Sequence, residues 1–469
     1  MRSGPGDMRA RSAVREMIRS LFASSSLPPR AVAVSLIVVV AVGGALRADS
    51  AAHPNVGYES ADERAYALLA QSLTNGRYSR RGGTNDLHWP PGAPMLFAAA
   101  RKLSSASTTS RRPSDVPAAY WAQAVMSTVT LALVFALGAL LGGAVAGLIA
   151  AGVLAVYPPI ISMNGSLLSE PLGAALATGA ALLLVMALRA RSWRVMALAG
   201  GVFGLLILTR TDFLLALPLL ALSIGLLCRR EGMRLALAHA GAFAAAAALV
   251  LAPWVVYASQ RAGHLVPVTS GGGSALFVGT FLPGEGTTFG VKRELAPALR
   301  ARHPEYDSRS VYDIPAKFAL DLVAARHPSL GRDAALKREA RHNLGEYGLG
   351  QPLAFVKMMS AKAARMWLSS YRGGGVEPVS LPVRIVHLIV IALGVTGLVA
   401  LLLTRRLTAE FAIVLILLLY TTLLHAVFVS KARYNVPVLP MFVAAGVAGL
   451  ATVLWRRSRS PGTLRSDAR

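Results

Sequence analysis

The segment that decides the fold is the apolar run AVAVSLIVVVAVGGAL at residues 31–46, which contains no charged residue. Nine more apolar runs follow, at 118–136, 139–157, 167–188, 195–209, 213–228, 235–257, 384–403, 409–429 and 436–455. Most approach the ~20 residues that a helix needs to cross a bilayer. The chain is 54% hydrophobic, with a mean hydropathy of +0.52, unlike a soluble globular protein. The sequence therefore predicts an all-α polytopic membrane protein with about ten transmembrane helices.

Two of these runs, 195–209 and 213–228, are shorter than the others. Joining them into one helix would leave Arg210 and Asp212 in the middle of the bilayer, where charged side chains are costly. It would also put the flanking basic loops on opposite sides of the membrane. We therefore interpret the two runs as a helical hairpin with its turn on the outer side.

Arginines in the short loops indicate the orientation of the helices. If ten helices alternate, one side receives Arg2, Arg9, Arg11, Arg15, Arg19, Arg30, Arg189, Arg191, Arg194, Arg229, Arg230, Arg234, Arg405, Arg406, Arg456, Arg457 and Arg459. This positive-inside pattern predicts that both termini are cytoplasmic. We expect residues 31–46 to remain as a first helix, because Ala45-Leu46-Arg47-Ala48 is a poor signal-peptide cleavage site.

The formal net charge of +25 indicates which partners suit the chain. A basic surface favours anionic membrane lipids and lipid phosphates. Nucleic acid is a poor alternative, because the positive charge is scattered over membrane loops without a soluble binding module. Cys228 is the only cysteine, so the sequence offers neither a disulfide framework nor a thiolate metal site.

Two long loops on the outer side interrupt the hydrophobic pattern. The second opens with Val268-Thr269-Ser270-Gly271-Gly272-Gly273 and becomes helical and charged at 332–367, which is typical of a cap or platform with juxtamembrane helices rather than of a large enzyme domain. The predicted division is a disordered cytoplasmic tail at 1–26, helices 1–7 at 27–257 with a catalytic first outer loop at 48–117, a large outer loop at 258–383, helices 8–10 at 384–457, and a disordered tail at 458–469.

The first outer loop carries an acidic pair in Ser60-Ala61-Asp62-Glu63-Arg64-Ala65-Tyr66, although acidic residues total only 23 of 469. Ser60 and Glu63 have the spacing of a helix capping box, and Asp62 would lie in the first turn, where the helix dipole favours negative charge. Capping alone would explain both acids. The same dipole keeps Asp62 ionised, as a base or cation ligand requires, so we predict that Asp62 and Glu63 are catalytic.

Other charged residues occur where the outer ends of helices should lie. Glu170 opens the fourth span, Arg210 lies in the hairpin turn, and Lys431 and Arg433 lie between the last two spans. Positive charge on the outer side runs against the general trend, and arginine can bind two phosphate oxygens at once, so these cations predict a phosphate clamp. The alternatives are a local ion pair with Asp212, a solvated interfacial glutamate and snorkelling anchors.

Together these segments resemble the GT-C membrane glycosyltransferases, in particular bacterial relatives of dolichyl-phosphate-mannose protein mannosyltransferase and of lipid A aminoarabinose transferase. The resemblance covers most of the chain and rests on the order and spacing of its motifs. These are Asp62-Glu63-x-x-Tyr66, His88-Trp89-Pro90-Pro91-Gly92, Ser169-Glu170-Pro171, Leu208-Thr209-Arg210-Thr211-Asp212, Ala252-Pro253-Trp254, Gly263-His264-Leu265-Val266-Pro267-Val268-Thr269, and Arg433-Tyr434-Asn435-Val436-Pro437 with Pro440.

The resemblance implies a GT-C-like fold and transfer of a sugar from a polyprenyl-phosphate donor on the extracytoplasmic face of the plasma membrane. It also implies that Asp62 acts as base or as a carboxylate at the reacting centre. A single displacement at the anomeric carbon would invert its configuration. Substrate-binding residues are then expected to be His88, Glu170, Arg210, Lys431, Arg433 and Tyr434.

The acceptor and the use of metal stay open at this point. The acceptor could be a glycan, a lipid or a protein, and a protein is doubtful because the large loop has no recognisable β-trefoil module. Metal use varies in the superfamily. The ligands available for a divalent cation are Asp62, Glu63, Asp86, His88 and Glu170, and His88 could instead be an interfacial anchor beside Trp89.

Two other functions are compatible with a basic polytopic chain. A lipid-linked glycan transporter or flippase should show polar or broken helices around a cavity at the midplane, whereas these spans are largely uninterrupted Ala, Leu, Val and Gly. A polymer ligase or polymerase would use a polyprenyl-linked sugar through a pyrophosphate. The order of the motifs favours the transferase.

Cysteine accessibility tests the predicted orientation. With Cys228 replaced by serine, single cysteines near residues 75, 300 and 432 should react with a membrane-impermeant thiol reagent in intact cells, because these positions are expected outside. Cysteines near residues 192 and 232 should react only after permeabilisation. Labelling near residue 192 from outside would overturn the topology.

Overall fold

The computed structural model describes residues 12, 14, 16–23, 27–55, 60–80, 86–104, 117–371 and 379–457. Within these ranges the regular structure is entirely helical. The first part contains α1 (Pro29–Ala52), α2 (Ala61–Thr74), α3 (Gly92–Leu103), α4 (Pro117–Gly142), α5 (Ala144–Ala155), α6 (Pro158–Ser162), α7 (Glu170–Ala190), α8 (Trp193–Thr209), α9 (Ala216–Cys228) and α10 (Met233–Ala262). The predicted all-α fold is confirmed.

The large outer loop and the carboxy-terminal helices complete the chain. The loop contains α11 (Gly272–Thr280), α12 (Thr288–Glu294), α13 (Ala296–Arg302), α14 (Ala316–Ala324), α15 (Arg332–Asn343) and α16 (Pro352–Leu368), with a π-helical turn at Leu344–Leu349. It is followed by α17 (Leu381–Leu403), α18 (Ala409–Val427), a 3₁₀ turn at Ala432–Asn435 and α19 (Leu439–Arg457).

Each of the ten predicted apolar runs forms a helix, and the chain is a multi-pass membrane protein. In the described residues, seven helical segments are long and apolar enough to cross a membrane: α1, α4, α7, Thr211–Glu231 (which contains α9), α10, α17 and α18. Two shorter apolar helices, α8 and Leu439–Leu454, account for two further runs. The run at 139–157 is not the straight span that its composition predicts. Its helix α5 is followed, after a bend of 54°, by Pro158–Gly165.

The bend after α5 leaves backbone carbonyls without the next turn of helix to pair with. Arg47 of α1 supplies the missing donors, because its guanidinium donates to the carbonyls of Leu154 (2.9 Å) and Ala155 (3.1 Å). It also donates to the Gly43 carbonyl and to the Ser127 hydroxyl, at 2.9 Å each. Arg47 is only 1% exposed. A buried cation thus stabilises the negative end of a broken helix.

Close approach of helix backbones holds the bundle together, as expected where packing rather than hydrophobic burial drives association. A Cβ atom added to Gly397 of α17 would lie 1.8 Å from the carbonyl oxygen of Gly446 in α19. One added to Gly200 of α8 would lie 2.1 Å from the carbonyl oxygen of Phe243 in α10. Side chains at these positions would separate the helices.

Ion pairs gather the predicted inside loops at one end of the bundle. Arg189, at the end of α7, pairs with Glu410 at the start of α18 (3.1 Å). Arg191 pairs with Glu231 beyond α9 (2.8 Å). These contacts place three basic loops at the same end, in agreement with the orientation inferred from the arginines.

The terminal tails are only partly described. The ring of Phe22 packs 5.6 Å from that of Phe135 in α4, so this described part of the amino-terminal segment contacts the bundle. The tail at 458–469 lies outside the described residues.

The large outer loop is fixed to the outer ends of the bundle. Lys362 of α16 is fully buried, and its ammonium donates to the carbonyls of Gly279 (2.7 Å) and Val427 (3.1 Å). The Ser270 amide donates to the Leu87 carbonyl of the first loop (2.8 Å). The predicted helical content of 332–367 is confirmed, with a π-helical turn between α15 and α16.

Replacing Arg47 with methionine tests the role of this residue at the bend. Methionine fills much of the same space but donates no hydrogen bond, and two buried carbonyls would lose their partners. We expect the variant to lose ~3 kcal/mol of stability, seen as a lower melting temperature in detergent. Arg230→Met, at an exposed loop position, is the matched control and should melt like the parent. An unchanged melting temperature for Arg47→Met would contradict this role.

Candidate active site

The two acids at the start of α2, Asp62 and Glu63, have different surroundings. The Glu63 amide donates to the Ser60 hydroxyl (3.3 Å), and the Glu63 carboxylate accepts from the Ser60 amide (2.9 Å), so the predicted capping box is formed. Glu63 is 3% exposed and does not line the adjacent cavity. The structure thus shows Glu63 as a capping residue, and of the acidic pair only Asp62 lines the cavity.

A cavity of about 350 Å³ lies where the first loop, the start of α7, the turn before α9, the end of α18 with the turn that follows it, and the large loop meet. Its polar lining comes from Asp62, Tyr66, His88, Trp89, Ser169, Glu170, Thr209, Arg210, Thr211, Asp212, Thr269, Ser270, His425, Arg433 and Tyr434. Most of the segments that carry the family resemblance therefore converge on one place.

A network of ion pairs forms the floor of this cavity. Arg433 pairs with Asp62 and, through Nε, with Oε1 of Glu170 at 3.2 Å. Arg210 contacts the same Glu170 oxygen at 3.4 Å and Oδ2 of Asp212 at 3.0 Å. Arg433, Arg210 and Glu170 are all buried, at 4%, 8% and 2% exposure. Glu170 therefore bridges two arginines that would otherwise repel each other.

Asp62 keeps its negative charge despite its surroundings. Burial alone would raise its pKa, but the nearby positive charges of Arg433 and Lys431 and hydrogen bonds from Trp89 and Arg433 hold the pKa below its ordinary value. The indole of Trp89 donates to Oδ1 of Asp62 at 3.3 Å. About a third of the Asp62 side chain remains exposed towards the cavity. The site thus presents a fixed carboxylate beside a guanidinium.

The remaining predicted binding residues lie around this centre at different depths. His88 is at the rim, and a Cβ on Gly271, which has φ +110°, would be 2.4 Å from its Nδ1. The Tyr434 ring lies 5.5 Å from the Arg210 guanidinium and 5.9 Å from the Lys431 ammonium. Lys431 itself is exposed and does not line the cavity. It contributes charge rather than a contact there.

The candidate metal ligands are mostly occupied by other partners. Asp86 pairs with Arg80, Glu63 caps α2, and Asp62 and Glu170 both pair with Arg433. In the described part of the chain, no group of three His, Cys, Asp or Glu side chains is arranged to hold a metal ion. The residues that the structure describes therefore do not fit a divalent cation site with three protein ligands.

One cavity residue, His425 of α18, was missed in the sequence. Its Nε2 lies 3.3 Å from Oδ2 of Asp212, and its Nδ1 lies 3.2 Å from the Val429 carbonyl oxygen. The available signal was a single histidine near the outer end of an apolar span, just before the Lys-Ala-Arg-Tyr sequence. A lone histidine in such a position is typical of an interfacial anchor, so the pattern did not single it out.

Part of the cavity wall is apolar. It is formed by Leu214 and Leu215 before α9 and by Leu424 and Phe428 at the end of α18. Leu215 is also 59% exposed on the outside of the bundle. The cavity therefore connects a charged floor with an apolar surface at the membrane-spanning helices.

Comparison with known proteins agrees with this architecture. Residues 93–257, about a third of the chain, match the family model described as Dolichyl-phosphate-mannose-protein mannosyltransferase. No curated protein sequence matches the chain at a significant level. The apo oligosaccharyltransferase of Archaeoglobus fulgidus is similar over 91% of this chain and 51% of that one, with 15% identity and a TM-score of 0.54.

Two further structures share a comparably low sequence identity with this chain. Oligosaccharyltransferase AglB from Archaeoglobus fulgidus, in complex with an inhibitory peptide and a dolichol-phosphate, covers 92% of this chain and 52% of its own, with 13% identity and a TM-score of 0.50. ArnT from Cupriavidus metallidurans in the apo state covers 89% and 77%, with 16% identity and a TM-score of 0.39. This chain spans about half the length of the Archaeoglobus proteins. The resemblance to the GT-C membrane glycosyltransferases is confirmed by the family model over residues 93–257 and by the shared fold.

Proposed function

We propose that this protein is a plasma-membrane glycosyltransferase that moves a sugar from a polyprenyl-phosphate donor to an acceptor hydroxyl. The observation that carries the proposal is the contact between Asp62 and Arg433 in a cavity with one apolar wall. An acid and a strong anion-binding group then lie side by side where a lipid head group could enter from the membrane. The dolichol-phosphate in the AglB complex supports a donor of this class.

The donor phosphate would bind to the arginines at the cavity floor. Arg433 and Arg210 carry planar guanidinium groups suited to phosphate oxygens, and Lys431 adds positive charge nearby. The polyprenyl chain would leave along Leu214, Leu215, Leu424 and Phe428. Each part of the donor thus has a surface of matching chemistry.

Asp62 would act as the base in an inverting displacement. The acceptor oxygen forms a bond to the anomeric carbon while the bond from that carbon to the phosphate oxygen breaks. The hydroxyl proton goes to Asp62, and the bonding electron pair stays on the leaving phosphate. The guanidinium of Arg433 lowers the pKa of Asp62 in the free protein. When the donor phosphate binds that guanidinium, the interaction of the guanidinium with Asp62 weakens. Asp62 then becomes a stronger base at the moment of reaction.

The cavity lies at the end of the bundle opposite the basic loops, which supports an extracytoplasmic reaction. The ion pairs of its floor also lie at helix ends rather than at the midplane of the spans. A transporter would need its polar site near the midplane, so the arrangement favours an enzyme over a flippase.

Asp62→Asn tests the base. The amide keeps the shape of the carboxylate but accepts no proton, so we expect transfer to fall by roughly 10²–10⁴-fold while the protein stays folded. The matched control is Glu63→Gln, because glutamine also forms a capping box and should leave transfer nearly unchanged. Transfer from a defined polyprenyl-phosphate sugar by purified protein is the measurement. Retention of most activity in Asp62→Asn would exclude the base assignment.

Arg433 variants test the phosphate clamp. The leaving phosphate gains charge as its bond breaks, so Arg433→Ala should lower turnover by roughly 10²-fold as well as weaken donor binding. Arg433→Lys should recover only part of both, because the charge returns without the planar fork. Melting temperatures separate misfolding from loss of chemistry. Full activity in a folded Arg433→Ala variant would rule out the clamp.

A further inference from the structure

Among the described residues, the ion-pair network at the cavity floor and the nearby Lys431 together leave no surplus positive charge for an anion. Asp62, Glu170 and Asp212 contribute three negative charges. Arg210, Arg433 and the nearby Lys431 contribute three positive ones. A phosphodiester donor carries one negative charge, which would make this balanced site negative in a buried location. Such a site binds an anion poorly unless another cation is present.

His425 has the geometry of that further cation. It is 4% exposed and lines the cavity. The groups facing its two ring nitrogens, the Asp212 carboxylate at 3.3 Å and the Val429 carbonyl at 3.2 Å, only accept hydrogen bonds. A neutral imidazole has one N–H and could satisfy one of them, whereas an imidazolium donates to both.

Tyr434 brings the imidazole of His425 close to two cations. Its ring centroid lies 4.8 Å from that of His425, 5.5 Å from the Arg210 guanidinium carbon and 5.9 Å from the Lys431 nitrogen. Positive charges repel one another, and the negative face of an aromatic ring offsets part of that cost. A cluster of this kind around one ring is suited to attract an anion.

We propose that His425 is an imidazolium that adds a surplus positive charge to this network of described residues and so enables the cavity to hold the donor phosphate. This inference rests on the proposed function for the identity of the anion. Both N–H groups of His425 are engaged by the protein, so it is a positioning residue. It holds Asp212, which in turn holds Arg210, and it acts on the phosphate through charge rather than contact.

Binding of a polyprenyl monophosphate and of the uncharged polyprenol to the purified full-length protein tests this role. His425→Gln removes the charge and keeps a polar side chain, so monophosphate affinity should fall about tenfold, while polyprenol affinity stays unchanged. The matched control is His239→Gln, because His239 is equally buried but lies in the half of α10 next to the basic loops. That control should bind both lipids like the parent.

A second variant restores the charge balance. His425→Gln combined with Asp212→Asn removes one positive and one negative charge, so monophosphate affinity should return to within about threefold of the parent. A merely structural role predicts that the double variant binds as weakly as the single one or more weakly, and this result would overturn the inference. So would equal monophosphate binding by His425→Gln and the parent, which leaves the proposed donor intact. If the parent itself binds the monophosphate no better than the polyprenol, the proposed donor fails as well.

Discussion

The structure depends on one buried cation, Arg433, and on the two carboxylates that share it. Asp62 belongs to the first outer loop and Glu170 to the start of α7, while Arg433 lies in the turn before α19. Removing one partner from a buried ion pair typically costs ~3–5 kcal/mol, because the other charge is left without compensation. The three segments therefore hold one another in place, and the cavity exists because they do.

The contacts that pack the helices together and the charged residues of the candidate site lie in separate regions of the bundle. Its interior relies on close backbone contacts such as Gly397 against Gly446, which carry no charge and need none. Arg47 is a charged residue inside the bundle, and its guanidinium is stabilised by hydrogen bonds to carbonyls at the bend rather than by an acid. The described charged residues of the cavity thus lie at helix ends, where Glu170 also benefits from the positive end of α7. Changes in the spans should affect insertion and packing before they affect the site.

Much of this arrangement could be predicted from the sequence because it follows from local patterns. Ten apolar runs gave ten helices, and Ser60-x-x-Glu63 gave the cap that the structure shows. What local patterns could not supply is the pairing of distant charges. Nothing in the spacing of Arg433 and Asp62 indicates that they touch. His425 was missed for the same reason, since its meaning depends on Asp212 from another helix. The bend after α5 was missed because the apolar content of a segment indicates how long a helix can be but not whether it bends.

The close approach of His88 and Gly271 restricts how the two outer loops can be replaced. The large loop approaches the first loop so closely that a single added carbon at Gly271 would overlap the imidazole, and the Ser270 amide is already bonded to the Leu87 carbonyl. The two loops can therefore be exchanged between related proteins only together. A chimaera that imports a foreign large loop should keep its shape only when residues 86–89 are imported with it, whereas the helices below can stay as they are.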